Sequence, residues 1–375
     1  MRTRVCDIFG IEYPLFAFTR SREVVAEVSK AGGMGVLGAI AFSVDELEPE
    51  LAWIDEHVDG HAYGVDVVMP AAYIDADPAS LESMIPEAHR HFVDDLLSRF
   101  NVPPLPEGEK AHEGLLAWVH ERARSQVEIA LEHPIKLLAN ALGPPPADVV
   151  QAAHAHGVQV AALVGNAEQA RRQIAAGVDI VIAQGTEAGG HTGDVASMVL
   201  VPEVVDAVAP VPVLAAGGIG SGRQVAAALA LGAEGVWTGS IWLAVAEADT
   251  HPIVVQKLLD ASSRDTVRSK SWTGKPARLL RTAWTEAWDA ADSPGALPMP
   301  LQFMLTMDPL QRMHHFAQHE NGAAALVGTP VGQIVGSMRS VRNTREVMAD
   351  LVRGCEDAAR HLSDMTSAAA PTKDL

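Results

Sequence analysis

The chain is poor in cysteine. Cys6 and Cys355 are its two cysteines, at opposite ends of 375 residues. Their number and separation exclude a disulfide scaffold and a multi-cysteine zinc site, and they fit a reducing compartment. We therefore predict a cytoplasmic protein without a metal centre.

Long apolar runs are also missing. No stretch approaches about 18 uncharged apolar residues, so no membrane-spanning segment is expected. The apolar stretch near the start, residues 8–18, is interrupted by Glu12 and Pro14. It therefore does not resemble a signal peptide.

Basic residues are scarce beside acidic ones. The chain has 28 Lys and Arg against 47 Asp and Glu, a formal net charge of −19. A nucleic-acid backbone must be met by Lys and Arg, so this balance argues against a nucleic-acid partner, and it also repels anionic membranes. Hydrophobic residues make up 48% and charged residues 20%, which excludes wholesale disorder and allows a sizeable core. A small-molecule substrate is expected, and a homo-oligomer is compatible with the sequence.

Short apolar runs alternate with helical patterns along the chain. The runs that we interpret as strands are Leu15–Phe18, Gly35–Leu37, Tyr63–Val68, Ile135–Asn140, Val158–Leu163, Ile180–Gln184, Val213–Ala216 and Gly235–Thr238. Alternating strands and helices predict a parallel sheet of the α/β class. Eight repeats suggest closure into a (β/α)8 TIM barrel, with the functional site at the carboxyl ends of the strands.

Two segments depart from this alternation of strands and helices, and they set the predicted domain boundaries. The predicted units are a barrel over residues 1–70 and 134–246, a helical insertion over 71–133 after the third strand, a small substrate or lid region over 247–336, a C-terminal helix over 337–362 that returns to the barrel, and a flexible tail over 363–375. The insertion is acidic and rich in helix formers, whereas the lid region becomes loop-rich near residues 292–300.

A glycine-rich loop directly follows the sixth predicted strand. It covers Gln184–Gly193, with the sequence QGTEAGGHTG. Glycine lets a backbone approach a ligand closely and adopt a positive φ. His191 near the end of this loop would lie over the barrel mouth, where imidazole suits proton transfer because it titrates near neutrality. The spacing is equally compatible with a histidine that merely packs the loop.

Two further glycine clusters follow the seventh and eighth predicted strands. They are Ala215–Gly222 and Thr238–Ser240. In barrels, the loops after strands seven and eight commonly bind phosphate through backbone N–H groups and a helix N-terminus. A single Gly-Gly pair usually marks just a turn, but two such loops at these positions predict a phosphorylated ligand.

These motifs give the chain a resemblance to a known family. It resembles the FMN-dependent nitronate monooxygenases, formerly called 2-nitropropane dioxygenases. The residues that carry the resemblance are Gln184–Gly193, Ala216–Gly222 (AGGIGSG), Ala228–Ala233 (ALALGA) and Thr273–Arg278 (TGKPAR). The similarity runs from about Gly10 to Gly336, apart from the predicted insertion. The EAGGH loop is shared with the related flavin enoyl-acyl-carrier-protein reductases.

The resemblance implies an FMN site and a catalytic histidine. His191 occupies the position of the family's active-site histidine. The residues implied to contact FMN are Ala17, Phe18, Thr19, Asp66, Lys136, Gln184, Gly185, Gly189, Gly190, Gly217, Gly218, Trp237, Gly239 and Ser240. Of these, Gly217, Gly218, Gly239 and Ser240 are implied to bind the phosphate. Lys136, taken as the end of the fourth strand, would stabilise the reduced, anionic flavin, unless it is simply a solvated lysine.

The implied reaction is oxidation of a nitronate or nitroalkane with O2, in which His191 orients or deprotonates the substrate. Two alternatives remain: an NAD(P)H-dependent flavin enoyl-thioester reductase, and a flavin- or phosphate-binding barrel without turnover.

Many family members have Pro-Met where this chain has Phe18-Thr19, Asn in place of Asp66, and Gln at the position of Trp237. A carboxylate near the flavin would disfavour an anionic reduced flavin unless it pairs with a cation or stays protonated. Trp237 either lies near the flavin or is a core tryptophan.

Overall fold

The computed structural model describes residues 1–69, 78–106, 120–318 and 322–367. The predicted insertion and the predicted C-terminal tail therefore fall partly outside the described residues.

Eight parallel strands form a closed barrel, which confirms the predicted (β/α)8 architecture. The barrel strands are β1 (Leu15–Thr19), β2 (Met34–Gly38), β3 (Tyr63–Val68), β4 (Leu137–Ala141), β5 (Gln159–Val164), β6 (Ile180–Gln184), β8 (Val213–Ala216) and β9 (Gly235–Thr238). Each one overlaps a predicted strand. Their residues are mostly buried, because one face lines the barrel interior and the other packs against helices.

Helices surround the barrel and close its lower end. They are α1 (Arg4–Phe9), α2 (Arg22–Lys30), α3 (Val44–His57), α6 (His120–Glu132), α7 (Ala147–Ala155), α8 (Ala167–Ala175), α9 (Ser197–Val208), α10 (Gly222–Ala230) and α15 (Thr344–Ser367). Val5, Cys6 and Phe9 of α1 pack against Phe16 and other interior side chains, which plugs the end opposite the strands' carboxyl termini. The helix α8 begins after Asn166, whose side chain accepts a hydrogen bond from the N–H of Gln169.

A second core lies outside the barrel. It is built by α4 (Pro78–Ser83), α5 (Glu87–Arg99), α12 (Ala283–Asp289), α13 (Leu301–His315) and α14 (Ala323–Leu326). Trp284 and Trp288 of α12 form its centre, together with Leu96 and Leu97 of α5. The helices α4 and α5 thus pack with the 247–336 region, whereas α6 packs against α3 and β3 of the barrel. The division of the chain into domains stays a prediction.

A small antiparallel sheet joins the second region to the barrel mouth. Its strands are β10 (Thr266–Ser269), β11 (Ala277–Leu280) and β7 (Gly190–His191), with β11 in the middle. Helix α11 (Pro252–Asp260) precedes this sheet in the chain. Because β7 belongs to the loop after β6, the sheet anchors the 247–336 region at the carboxyl ends of the barrel strands.

The C-terminal helix α15 packs against α10 and α2. The helices approach so closely at Gly222 that a Cβ there would lie 2.2 Å from the backbone N of Cys355. A glycine is therefore required at this crossing. Among the described residues, no helix is long and apolar enough to span a membrane.

Candidate active site

The loops after β6, β8 and β9 lie side by side at the barrel mouth. Their strands pair in parallel, with Gln184 beside Ala216 and Ala216 beside Trp237. The N–H of Gly185 donates to the carbonyl of Ala216 at 2.9 Å, which extends the ladder beyond β6. The structure thus brings together the three glycine-rich loops that the sequence singled out.

The loops after β8 and β9 form a cradle of free backbone donors. Gly217 and Gly218 have positive φ values of 95° and 70°, which glycine adopts without strain. The N–H groups of Gly218, Ile219, Gly239 and Ser240 make no hydrogen bond to any other residue that the structure describes. Unpaired N–H groups of this kind are what a phosphate group requires.

The cradle has room on the β9 side. A Cβ placed on Gly239 would meet Phe18 Cδ1 at 3.7 Å, an ordinary van der Waals contact, as its nearest neighbour. The hydroxyl of Ser240 accepts a hydrogen bond from the N–H of Gly332 at 2.8 Å. The second region of the chain therefore fixes the β9 loop. These residues fit the phosphate end of a flavin mononucleotide.

A cavity of about 540 Å3 adjoins the cradle, lined in part by Glu187, Gly218, Gln224 and Gln333. The carboxylate of Glu187 accepts from the N–H of Ser197 at the start of α9, with both oxygens at 3.2 Å. Its Cγ would lie 3.0 Å from a Cβ at Gly218. Glu187 therefore links the EAGGH loop to α9 beside the cradle.

The EAGGH loop is tightly packed from both sides. A Cβ on Gly185 would lie 2.2 Å from Ser197 Oγ, and a Cβ on Gly189 would lie 2.8 Å from the backbone of Val331. Arg278 of β11 is buried and donates through Nε to the carbonyl of Thr186 at 3.0 Å. These contacts explain why the loop needs small residues on the approach to His191.

His191 lies in β7 and pairs with Ala277 of β11. Its Nδ1 is 3.1 Å from the carbonyl oxygen of Pro276, and its Nε2 is 3.4 Å from Thr273 Oγ1. A carbonyl oxygen can only accept, so Nδ1 carries the proton and Nε2 is left as an acceptor. Burial lowers the pKa of His191, helped by the charge of Lys275 and opposed by the bond to Pro276. At neutral pH the ring is therefore a neutral base with its lone pair on Nε2.

Aromatic rings form the floor of the mouth. Phe18 and Trp237 stack with ring centroids 6.2 Å apart and planes 23° apart. Trp237 is buried in the barrel interior, with Phe16 and Leu214 in the same cluster. Trp237 is thus a core tryptophan, and its contact with the barrel mouth is the stacking against Phe18. Thr19 is also buried, and its Oγ1 accepts from the N–H of Ser21.

The comparisons with known proteins agree with this geometry. The family model described as nitronate monooxygenase matches residues 2–354. The chain belongs to the nitronate monooxygenase family. The family membership confirms the resemblance read from the motifs and makes the chain an oxidoreductase.

Individual relatives show how far this likeness extends. A Mycobacterium tuberculosis protein provisionally named a monooxygenase is 54% identical over 372 residues, which cover 97% of this chain and 99% of that protein. FabK from Thermotoga maritima has a TM-score of 0.71 and 27% identity, covering 97% of this chain and 99% of that one. Nitroalkane oxidase from Streptomyces ansochromogenes has a TM-score of 0.78 and 24% identity, covering 96% and 99%. At that identity its likeness shows the fold alone.

Lys136 is the site residue that the sequence misplaced. It precedes β4 and is exposed. Its N–H donates to the carbonyl of Tyr63, the first residue of β3. Lys136 therefore lies at the opposite end of the barrel from the glycine-rich loops, and the structure does not bring it together with the other predicted site residues. The resemblance assigned Lys136 to the end of the fourth strand, although it is only the second residue of the predicted strand Ile135–Asn140. The true carboxyl end of β4 is Asn140–Ala141.

Asp66 lies where the sequence predicted, in the upper half of β3. It is 4% exposed, and its register neighbours are Gly38 on β2 and Ala139 on β4. No described residue makes a hydrogen bond or ion pair with its carboxyl group. Burial alone raises the pKa of Asp66 well above its usual value.

Several residues of the site were not predicted from the sequence. Thr273 and Pro276 contact His191, and the TGKPAR motif that contains them was a signal of the family without an assigned role. Asn140 is buried and accepts a hydrogen bond from the N–H of Met69 at 2.8 Å, which ties the ends of β3 and β4 together. The described residues contain no group of three or more His, Cys, Asp or Glu side chains that could hold a metal ion.

Proposed function

We propose that this family member uses FMN to oxidise nitronates or nitroalkanes with O2. The observation that carries the proposal is the neutral His191, whose Nε2 lone pair lies at the barrel mouth beside a cradle of unpaired N–H groups. A base and a phosphate site on neighbouring loops suit a flavin enzyme that acts on a weakly acidic carbon.

The chain's own residues would hold the cofactor by its phosphate. Gly218, Ile219, Gly239 and Ser240 would donate their backbone N–H groups, as helix-terminus and loop amides do in phosphate sites generally. When bound, FMN would supply the redox chemistry, as the acceptor of the substrate's electrons and the group that O2 reoxidises. Phe18 and Trp237, whose rings stack, would provide an apolar floor for this part of the mouth.

His191 would act on the substrate's proton or charge. For a neutral nitroalkane, the unprotonated Nε2 takes the proton from the carbon beside the nitro group. The carbonyl of Pro276 then stabilises the resulting imidazolium through Nδ1. For a substrate that is already a nitronate anion, the role of His191 is orientation. A single residue thus serves both substrate forms at different pH values.

The test is an absorption spectrum of the purified protein, followed by anaerobic addition of ethyl nitronate. Flavin bands that bleach with ethyl nitronate and return with oxygen support the proposal. His191→Ala should keep the flavin and lose turnover of neutral nitroethane. His361→Ala, on the exposed face of α15, is the matched control and should behave as wild type. Flavin binding without turnover in either protein would favour the non-catalytic barrel.

A second candidate function is an NAD(P)H-dependent flavin enoyl-thioester reductase. It is favoured by the 27% identity to FabK across nearly the whole chain and by the EAGGH loop. The two enzymes differ in what reduces the flavin. Anaerobic bleaching by NADPH and not by ethyl nitronate would replace the first proposal with this one.

A further inference from the structure

Asp66 is the one buried carboxylic acid in the described part of the chain. Along β3, Tyr63, Val65 and Val67 pack outward against the helices. Side chains alternate along a strand, so Asp66 faces the barrel interior. It stands two residues before the carboxyl end of β3. The inference below rests on the proposed flavin site and concerns how Asp66 acts in it.

The described surroundings of Asp66 offer no compensating charge. The neighbouring strands present Gly38 and Ala139 at its level. Apolar side chains fill much of the barrel interior, among them Phe18 from β1, Val36 from β2 and Leu163 from β5. Burial is the one cause that shifts the pKa of Asp66, with no contribution from a neighbouring charge, and Lys136 lies at the far end of the barrel. An ionised carboxylate here would be buried without a partner among the described residues, which is far less favourable than burying the neutral acid.

We propose that Asp66 keeps its proton at neutral pH and donates its carboxylic O–H toward the flavin, so that reduction of the flavin and protonation of Asp66 are coupled. A neutral acid adds no charge to the site, whereas a carboxylate would oppose the negative charge that reduction brings. This resolves the apparent conflict of an acid in a flavin site. Coupling is reciprocal, so a reduced flavin must also raise the proton affinity of Asp66.

The coupling fixes a proton balance. Below the pKa of Asp66, the residue is neutral before and after reduction and takes up nothing. Between the pKa of Asp66 with oxidised flavin and its higher pKa with reduced flavin, the two-electron reduction is accompanied by binding of one solvent proton to the Asp66 carboxylate. The midpoint potential of the wild-type protein should therefore fall more steeply with pH in that range than the potential of Asp66→Asn, which cannot titrate.

The first experiment detects the proton directly in the protein as purified, with or without flavin. An infrared difference spectrum of wild type minus Asp66→Asn at neutral pH should show the C=O stretch of a protonated carboxylic acid. Asp206→Asn, which removes an exposed carboxylate from α9, should show a carboxylate band instead. A carboxylate band for Asp66 as well would overturn the proposal.

The second experiment measures the midpoint potential against pH in flavin-loaded wild type and Asp66→Asn. The two curves should run parallel at low pH and diverge at high pH, by one additional proton for each two electrons. Parallel curves at every pH would overturn the coupling. Failure of the function proposed above is distinguishable, because an absence of nitronate oxidation changes neither the infrared band nor the potentials.

Discussion

At the scale of single residues, the position of His191 could be predicted from the sequence, whereas its protonation pattern could not. The glycine loop predicted a histidine at the barrel mouth. It did not predict the tautomer, which depends on Pro276 and Thr273, more than 80 residues away in the chain. Asp66 is similar: its position followed from the strand pattern, whereas its burial in the closed barrel, with no partner among the described residues, could not be predicted from that pattern.

The lowered pKa of His191 leads to a prediction about pH. Its base form persists to lower pH than that of an ordinary histidine, so kcat/KM for nitroethane should fall only below the usual histidine range. Lys275 is exposed and helps to lower this pKa. Lys275→Gln should therefore move the acidic limb upward by a fraction of a pH unit, since exposed charges are screened.

Lys270→Gln removes an exposed charge from the same segment and is the control. Its pH profile should match that of wild type. A shift of equal size in both variants would mean that net charge, and not the neighbourhood of His191, sets the profile.

Asp66 should also shape the pH dependence of folding stability. Its pKa is raised in the folded state, so its contribution is fully present below the unfolded pKa and is lost as pH rises toward the folded pKa. Over that range the loss is at most about 1.4 kcal/mol per pH unit. Relative to wild type, Asp66→Asn should gain stability as pH rises above about 4, measured by urea unfolding of the flavin-free protein. A constant difference from pH 4 to 9 would contradict this expectation.

At the scale of elements, the strands of the barrel were predictable because each is a short buried run bounded by glycine or polar residues. The strand β7 was not, since two residues carry no periodicity and its partner β11 is distant in the chain. The β4 boundary failed for a related reason. An apolar residue before a strand cannot be told from the strand itself when pairing partners are unknown.

The crossing of α10 and α15 makes a prediction about packing. Gly222→Ala should destabilise the protein by roughly 1–3 kcal/mol, because its Cβ would overlap the backbone of Cys355 and the helices must move apart. Arg223→Ala, on the exposed side of the same helix turn, should change stability by no more than about 0.5 kcal/mol. Thermal unfolding of both variants decides whether α15 is held at this glycine.

At the scale of the whole molecule, the candidate site joins the barrel to the 247–336 region. Gly332 donates to Ser240, Gln333 donates to the carbonyl of Glu187, and Arg278 donates to Thr186. Each of these bonds crosses from the second region to a loop at the barrel mouth. A ligand in the cradle would therefore stabilise both regions together. Its removal would lower the free energy of unfolding of the whole chain.

This makes FMN binding measurable through stability. FMN at 100 times its Kd should add about 2.7 kcal/mol and raise the Tm. Gly239→Asp should abolish that increase, because its carboxylate would lie in the cradle and repel the phosphate. The apoprotein should keep its own Tm, since Gly239 has φ −127° and room for a side chain. Gly239→Ala fills the same space without charge and should still respond to FMN. If Gly239→Asp is stabilised by FMN as wild type is, the phosphate binds elsewhere and the loops after β8 and β9 do not form the flavin site.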